Sequence, residues 1–230
     1  MTSAPEQTAR LRRILVINPN SNPAITAQIR ALANLSLGPD VGTQVEDLPG
    51  APRAIQSPAD RAVAEPLALA RIATAKAEGF AAVALACFDD IAIGARATQS
   101  LPVIDAVEAS LRQACGLAQR FAIVTTFDAA VPRIRKLVAR HGLQDRCTVR
   151  AAGVGVSAAA DLAPETRAKL HAALAAAIAE DGAGAIILGS GALAGRAALL
   201  APDCPVPLID SIEAALQQAA AASSAASSPP

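Results

Sequence analysis

The chain has 230 residues, twenty basic against twenty acidic, with 53% apolar residues, four Phe and no Trp or Tyr. That length supports one large domain or two small ones, each with a buried core. Balanced charge without a long basic block excludes a binder of phosphate backbones, and so few rings exclude a stacking platform for bases or sugars.

The opening MTSAPEQTARLRR carries no apolar core of signal-peptide type. Residues 1–12 read as an unpatterned, disordered leader. No window reaches the ~18 continuous apolar residues of a membrane span, so the reading is a cytoplasmic protein with no membrane and no nucleic-acid partner. The first strand is expected at Ile14–Asn18, followed by a helix over Pro23–Leu35. Further strands are expected at Gln44–Leu48, Ala82–Ala86, Val103–Asp105, Phe121–Thr125, Thr148–Ala152, Ala185–Gly189 and Leu208–Asp210. Between them lie amphipathic, Ala-rich segments, among them Asp60–Ala77, Ala129–His141 and Pro164–Glu180. Strands that are apolar throughout and separated by helices predict parallel sheets covered on both faces. The end of the chain, AAASSAASSPP, has nothing to bury, and 221–230 reads as a disordered tail.

The chain also repeats itself. LPVIDAVEASLRQA (101–114) returns as VPLIDSIEAALQQA (206–219). AEGFAAVALAC (77–87) aligns without a gap on the segment from Glu180, which pairs Cys87 with Ser190, and RILVINPN (13–20) faces RFAIVTTF (120–127). Three matches in one order at nearly one offset predict an α/β protein of two pseudo-symmetric, Rossmann-like lobes. One lobe takes 13–105 plus about 211–220, the other 106–210. Ligands of open parallel sheets bind beyond the carboxyl ends of the strands. Asn18, Cys87, Thr125 and Ser190 stand at such ends, and a pseudo-two-fold would bring them to one cleft between the lobes.

The four cysteines, at 87, 115, 147 and 204, have no spacing of a zinc or redox pair. They read as free thiols, mostly small core residues. Cys87 differs because it ends a strand and precedes Phe88, Asp89 and Asp90. The next segment, Ile91–Thr98, is expected to be a helix whose N-terminus would lower the thiol pKa, with Asp89 or Asp90 as its cap. Ser190 opens SGALAG, whose glycines free N–H groups for an anion; binding suits it better than proton abstraction, since no base is evident. His141 falls at a helix end and His171 inside a helix, so a Ser-His pair is not supported. VGVSAA (154–159) lacks the lysine of a phosphate loop. Asn18, Ser21, Thr125 and Thr126 offer neutral donors and acceptors that suit a carboxylate, a cyclic imide or ureide, or an enolate oxygen. Asn18 and Ser21 are also candidate caps of the first helix.

VINPNSNPAIT (16–26), ALACFDD (84–90), IVTTFDAAVPR (123–133), IILGSGALAG (186–195) and PLIDSIEAA (207–215) together resemble the aspartate/glutamate/hydantoin racemase superfamily, and within it the hydantoin and allantoin racemase branch. The resemblance implies a cofactor-independent enzyme in which two cysteines face each other across a small-molecule substrate, and a homo-oligomer. The first family cysteine falls on Cys87. The second falls on Ser190, a departure. The anchors near the first strand fall on Asn18, Asn20 and Ser21, and the threonine pair on Thr125 and Thr126. Phe88, Asp90, Gly189 and Gly191 complete the expected substrate-binding set. Gln56 and Ala59 stand where the family has Glu and Tyr. The function expected is a racemase or epimerase acting at a carbon next to a carbonyl, on a hydantoin-like or amino-acid-like compound. A one-thiol decarboxylase or cis-trans isomerase of a small dicarboxylate, and a non-catalytic binder, are the competing readings.

Overall fold

A computed structural model describes residues 11–225. Among the described residues, eight strands form two four-stranded sheets, both parallel throughout. In the first, β1 (Arg12–Asn18), β2 (Val41–Asp47), β3 (Ala82–Leu85) and β4 (Val103–Asp105) lie in the order β2-β1-β3-β4. In the second, β5 (Phe121–Thr125), β6 (Cys147–Ala151), β7 (Ile186–Leu188) and β8 (Leu208–Asp210) lie in the order β6-β5-β7-β8. One topology occurs twice, in the register that the sequence repeat predicts. The helices are α1 (Pro23–Ser36), α2 (Pro58–Ala75), α3 (Ala95–Thr98), α4 (Ala106–Leu117), α5 (Val131–Arg140), α6 (Val156–Asp161), α7 (Pro164–Ala179), α8 (Ala197–Leu200) and α9 (Ser211–Ala225).

Alternation along the central strands divides the interior into two cores. Ile14 and Val16 of β1, with Ala82 and Ala84 of β3, face a core that continues into the second lobe. Leu15, Ile17, Val83 and Leu85 face the opposite core, under α2. The small residues on the inner face of β3 let helices approach the sheet closely. α9, which leaves β8 of the second sheet, packs on β1 and β3 of the first. α4, which leaves β4 of the first sheet, reaches β7 and β8 of the second, and α4 and α9 pack together. Each lobe thus lends its last helix to the other.

Local signals fix the helix starts. Asn22 caps α1, its side chain accepting from Ala24 N at 3.1 Å, with Pro23 at the first helical position. The expected caps, Asn18 and Ser21, lie too early in the turn for this. Ser57 and Asp60 form a reciprocal capping box on α2. Asp105 accepts from Glu108 N at the start of α4, and Asp210 from Ile212 N and Glu213 N at the start of α9, a matched pair from the repeat.

Two chain ends differ from expectation. β1 begins at Arg12, inside the expected leader, and α9 runs through 221–225, inside the expected tail, because its Ala-rich stretch remains helical over the first sheet. The rest of the expected leader, apart from Leu11, and 226–230 lie outside the described residues. Among the described residues no helix is long and apolar enough to cross a membrane.

Candidate active site

β1 and β5 are the strands from which each sheet extends in both directions, so the crevices beside their carboxyl ends are natural ligand sites. One small cavity, about 50 Å³, joins the two crevices. Cys87, Phe88 and Asn20 line it from the first lobe, and Thr126, Ser190 and Gly191 from the second.

The apposition of the two strand ends is close. A Cβ on Gly191 would stand 3.0 Å from the Ala86 carbonyl oxygen, with the Cys87 backbone next to it. A Cβ on Gly189 would meet Ile123 at 2.5 Å and the Phe88 ring at 3.1 Å. Both glycines let the second-lobe loop reach Cys87. Gln28 on α1 ties that loop to the first lobe, donating to the Ala192 carbonyl at 3.0 Å and to that of Ala194. Ser190 caps a short 3-10 turn, Gly191–Leu193, accepting from Ala192 N at 3.4 Å. Asp210 accepts from Gly195 N at 2.5 Å and closes the loop at its far end.

Of the expected binding residues, Asn20, Phe88, Thr125, Thr126, Gly189 and Gly191 line the cavity. Asn18, Ser21 and Asp90 do not. Asn18, fully buried, donates to Asn20 Oδ1 and to Thr26 Oγ1, each at 3.0 Å. Ser21 donates to the Ala51 carbonyl at 2.7 Å and pins the loop after β2. Asp90 is bound by Arg61 and Arg140. These side chains shape the wall from behind. Within the cavity, Asn20 Oδ1 accepts from Asn18 and from Asn22 N, which leaves its amide N–H2 as the end that can serve a ligand. Thr125 donates to the Gly189 carbonyl at 2.9 Å, whereas the Thr126 hydroxyl is fully buried and has no partner. An unpartnered buried hydroxyl is costly unless a ligand satisfies it.

The helix expected directly after Cys87 is absent. Ile91–Gly94 are turns, Ala92 takes a left-handed backbone with φ 57°, and only Ala95–Thr98 is helical. Glu65 on α2 accepts from Ala92 N at 3.1 Å, so a long-range contact holds this loop against the local preference for helix. Cys87 therefore lacks the helix N-terminus that would have lowered its pKa. Burial pushes the thiol up to about 11, against the pull of Arg133 and Arg61. Asp89 and Asp90 are not caps either. Asp89 is paired with Arg61 and Arg133, and Asp90 with Arg61 and Arg140. Burial raises the Asp90 carboxyl, but the two guanidiniums more than offset this and hold it below its ordinary value.

A model of the family described as Asp/Glu/Hydantoin racemase matches residues 14–219. The chain belongs to that family. A hydantoin racemase of Rhizobium meliloti is 34% identical over 208 residues, covering 90% of this chain and 86% of that protein. Among solved structures, an allantoin racemase from Klebsiella pneumoniae superposes with a TM-score of 0.86 at 32% identity, covering 91% of this chain and 86% of that one. An allantoin racemase from Pseudomonas fluorescens gives 0.84 at 28%, covering 91% and 89%. The protein is thus a racemase-family enzyme.

Several residues that line the racemase-family cavity escape a strand-end search, among them Asp89, Arg133 and Ile55. Arg133 on α5 lines the cavity, and Ile55, in the loop before α2, lines it from the other lobe. Arg133 and Arg140 lie seven apart on one helix face, and the adjacent acids Asp89 and Asp90 require cations when buried. Together these were the available signal. Among the described residues no three His, Cys, Asp or Glu side chains cluster as metal ligands would.

Proposed function

We propose that this racemase-family enzyme exchanges the proton on a carbon next to a carbonyl of a small hydantoin-like compound, with Cys87 as the acid–base group. The observation that carries this is the cavity onto which Cys87 and Ser190 both open from opposite lobes. The Cys87 thiolate takes the proton, and the C–H electron pair moves into the carbonyl as an enolate. The orphan Thr126 hydroxyl and the Asn20 amide N–H2 are the donors suited to that oxygen. Return of the proton from Cys87 restores the starting configuration. Delivery to the other face falls to Ser190, whose hydroxyl gives a proton to carbon and regains one from water. An alkoxide is a poor species to form, so exchange outruns inversion.

The test uses one enantiomer of a substituted hydantoin in deuterium oxide. Deuterium enters at the ring carbon faster than optical rotation is lost. No deuterium entry with either enantiomer sinks the proposal.

The protonated state of Cys87 favours a second reading. A thiol with a pKa near 11 is a proton donor at neutral pH. It could protonate the carbanion that a malonate leaves on losing carbon dioxide, then be reprotonated by water. Carbon dioxide release from malonates, with no deuterium entry into hydantoins, would put this reading in place of the first.

A further inference from the structure

Beside the Cys87 cavity lies a larger one of about 330 Å³, between the start of α2 and one face of α5. The two share Ile55 and Arg133 as a common wall. The small cavity is well below the ~300 Å³ at which sites for drug-sized ligands begin, whereas the larger one reaches it. A substituent on the reacting carbon therefore has one roomy place to go, past Ile55 and Arg133.

The chemistry of that place is one-sided. Arg61, Arg133 and Lys136 line it and, among the described residues, no carboxylate does. Pro58, Pro132 and Ala129 supply apolar wall between the cations. The nearby acids lie behind the lining and offset Arg61 and Arg133, which leaves Lys136 as the uncompensated cation. Asp89 and Asp90 bind Arg61, Arg133 and Arg140, Glu65 pairs with Arg61 at 3.4 Å, and Asp60 caps α2. Lys136, exposed and one turn beyond Arg133 on the same helix face, has no ion-pair partner among the described residues. The excess positive charge sits where a substituent would end.

We propose that this second cavity is the substituent subsite and selects an anion, a carboxylate on a short apolar stem. The inference rests on the reading that the reacting carbon sits at Cys87. The stem packs on Ile55 and Pro132, and the carboxylate meets Lys136 and Arg133.

Calorimetry can test this on the whole protein, with a hydantoin carrying a carboxymethyl group on its ring carbon against one carrying an ethyl group. The carboxylate binds about tenfold more tightly, and Lys136→Gln lowers that preference about fivefold, as expected for one partly solvated charge. Lys136→Arg retains it, and raising NaCl from about 0.05 to about 0.5 M erodes it. Equal binding of the two hydantoins, no binding of either, or a preference untouched by Lys136→Gln overturns the inference. Deuterium exchange read on the same samples separates the two claims. Intact preference without exchange leaves the subsite standing and removes the isomerase reading.

Discussion

The two halves of the site share one backbone plan and are held by different forces. On the first lobe, the loop after β3 is fixed by charge: Asp89 and Asp90 against Arg61, Arg133 and Arg140. On the second, the loop after β7 is fixed by hydrogen bonds from Gln28 and to Asp210. The groups proposed to react differ to match. Cys87 is a thiol whose protonation is set by burial against two nearby cations, whereas Ser190 is a hydroxyl half engaged as a cap. The repeat supplied two equivalent strand ends, and this chain has made them unequal. Symmetry of the backbone and symmetry of the side chains at the strand ends are therefore separable.

The largest effect that can break this contrast is Cys87→Ser. Deuterium exchange should fall by at least ~10³, the upper part of what one acid–base group contributes; residual exchange near wild type would remove Cys87 from its role. Ser190→Cys should restore balance, raising the ratio of inversion to exchange roughly tenfold to a hundredfold, since a thiol is far the better acid. An unchanged ratio would show that Ser190 does not stand opposite the reacting carbon. The cations give a smaller shift. Wild-type exchange should climb with pH from neutrality toward about 11, as the thiolate forms. Arg133→Gln removes a charge that lowers the thiol pKa and should displace this profile upward by about one unit. A profile unmoved by the change would place Arg133 outside the electrostatics of Cys87.

On the second lobe the probe is stability. Burial pushes Asp210 up to about 6, against hydrogen bonds from Glu213, Gly195 and Ile212 N–H groups. The folded protein therefore favours the neutral carboxyl. Stability from this residue is fully present below its ordinary value of 3.8 and is lost as pH rises through about 6. Relative to Asp210→Asn, the wild type should gain ~1–3 kcal/mol of unfolding free energy between pH 7 and pH 4. Parallel denaturation curves at both pH values would contradict that assignment.

Much of this is legible in the sequence because it is local or periodic. The alternation of Ile14–Ile17, the apolar run before Cys87 and the returning LID/VID segments place the strands around the site, and the repeat by itself pairs Cys87 with Ser190. What stays hidden depends on partners far away along the chain. Ile91–Gly94 reads as helix by propensity, but Glu65 holds Ala92 otherwise. Asp89 and Asp90 read as caps until Arg61, Arg133 and Arg140 arrive from two other helices. Asn18 looks like a binding residue, yet it closes a network among Asn20 and Thr26. Strand-end position identifies who can reach a ligand, and tertiary hydrogen bonding decides who is free to do so.

The exchange of α4 and α9 has a consequence for synthesis. β1 and β3 are made before the second sheet, whereas α9, which packs on their inner face, is made after it. Until α9 emerges, Ile14, Val16, Ala82 and Ala84 lack part of their cover, with α1 on one side only. The first lobe therefore completes only after translation has passed the second, and chaperones are expected to attend nascent chains longest on that face.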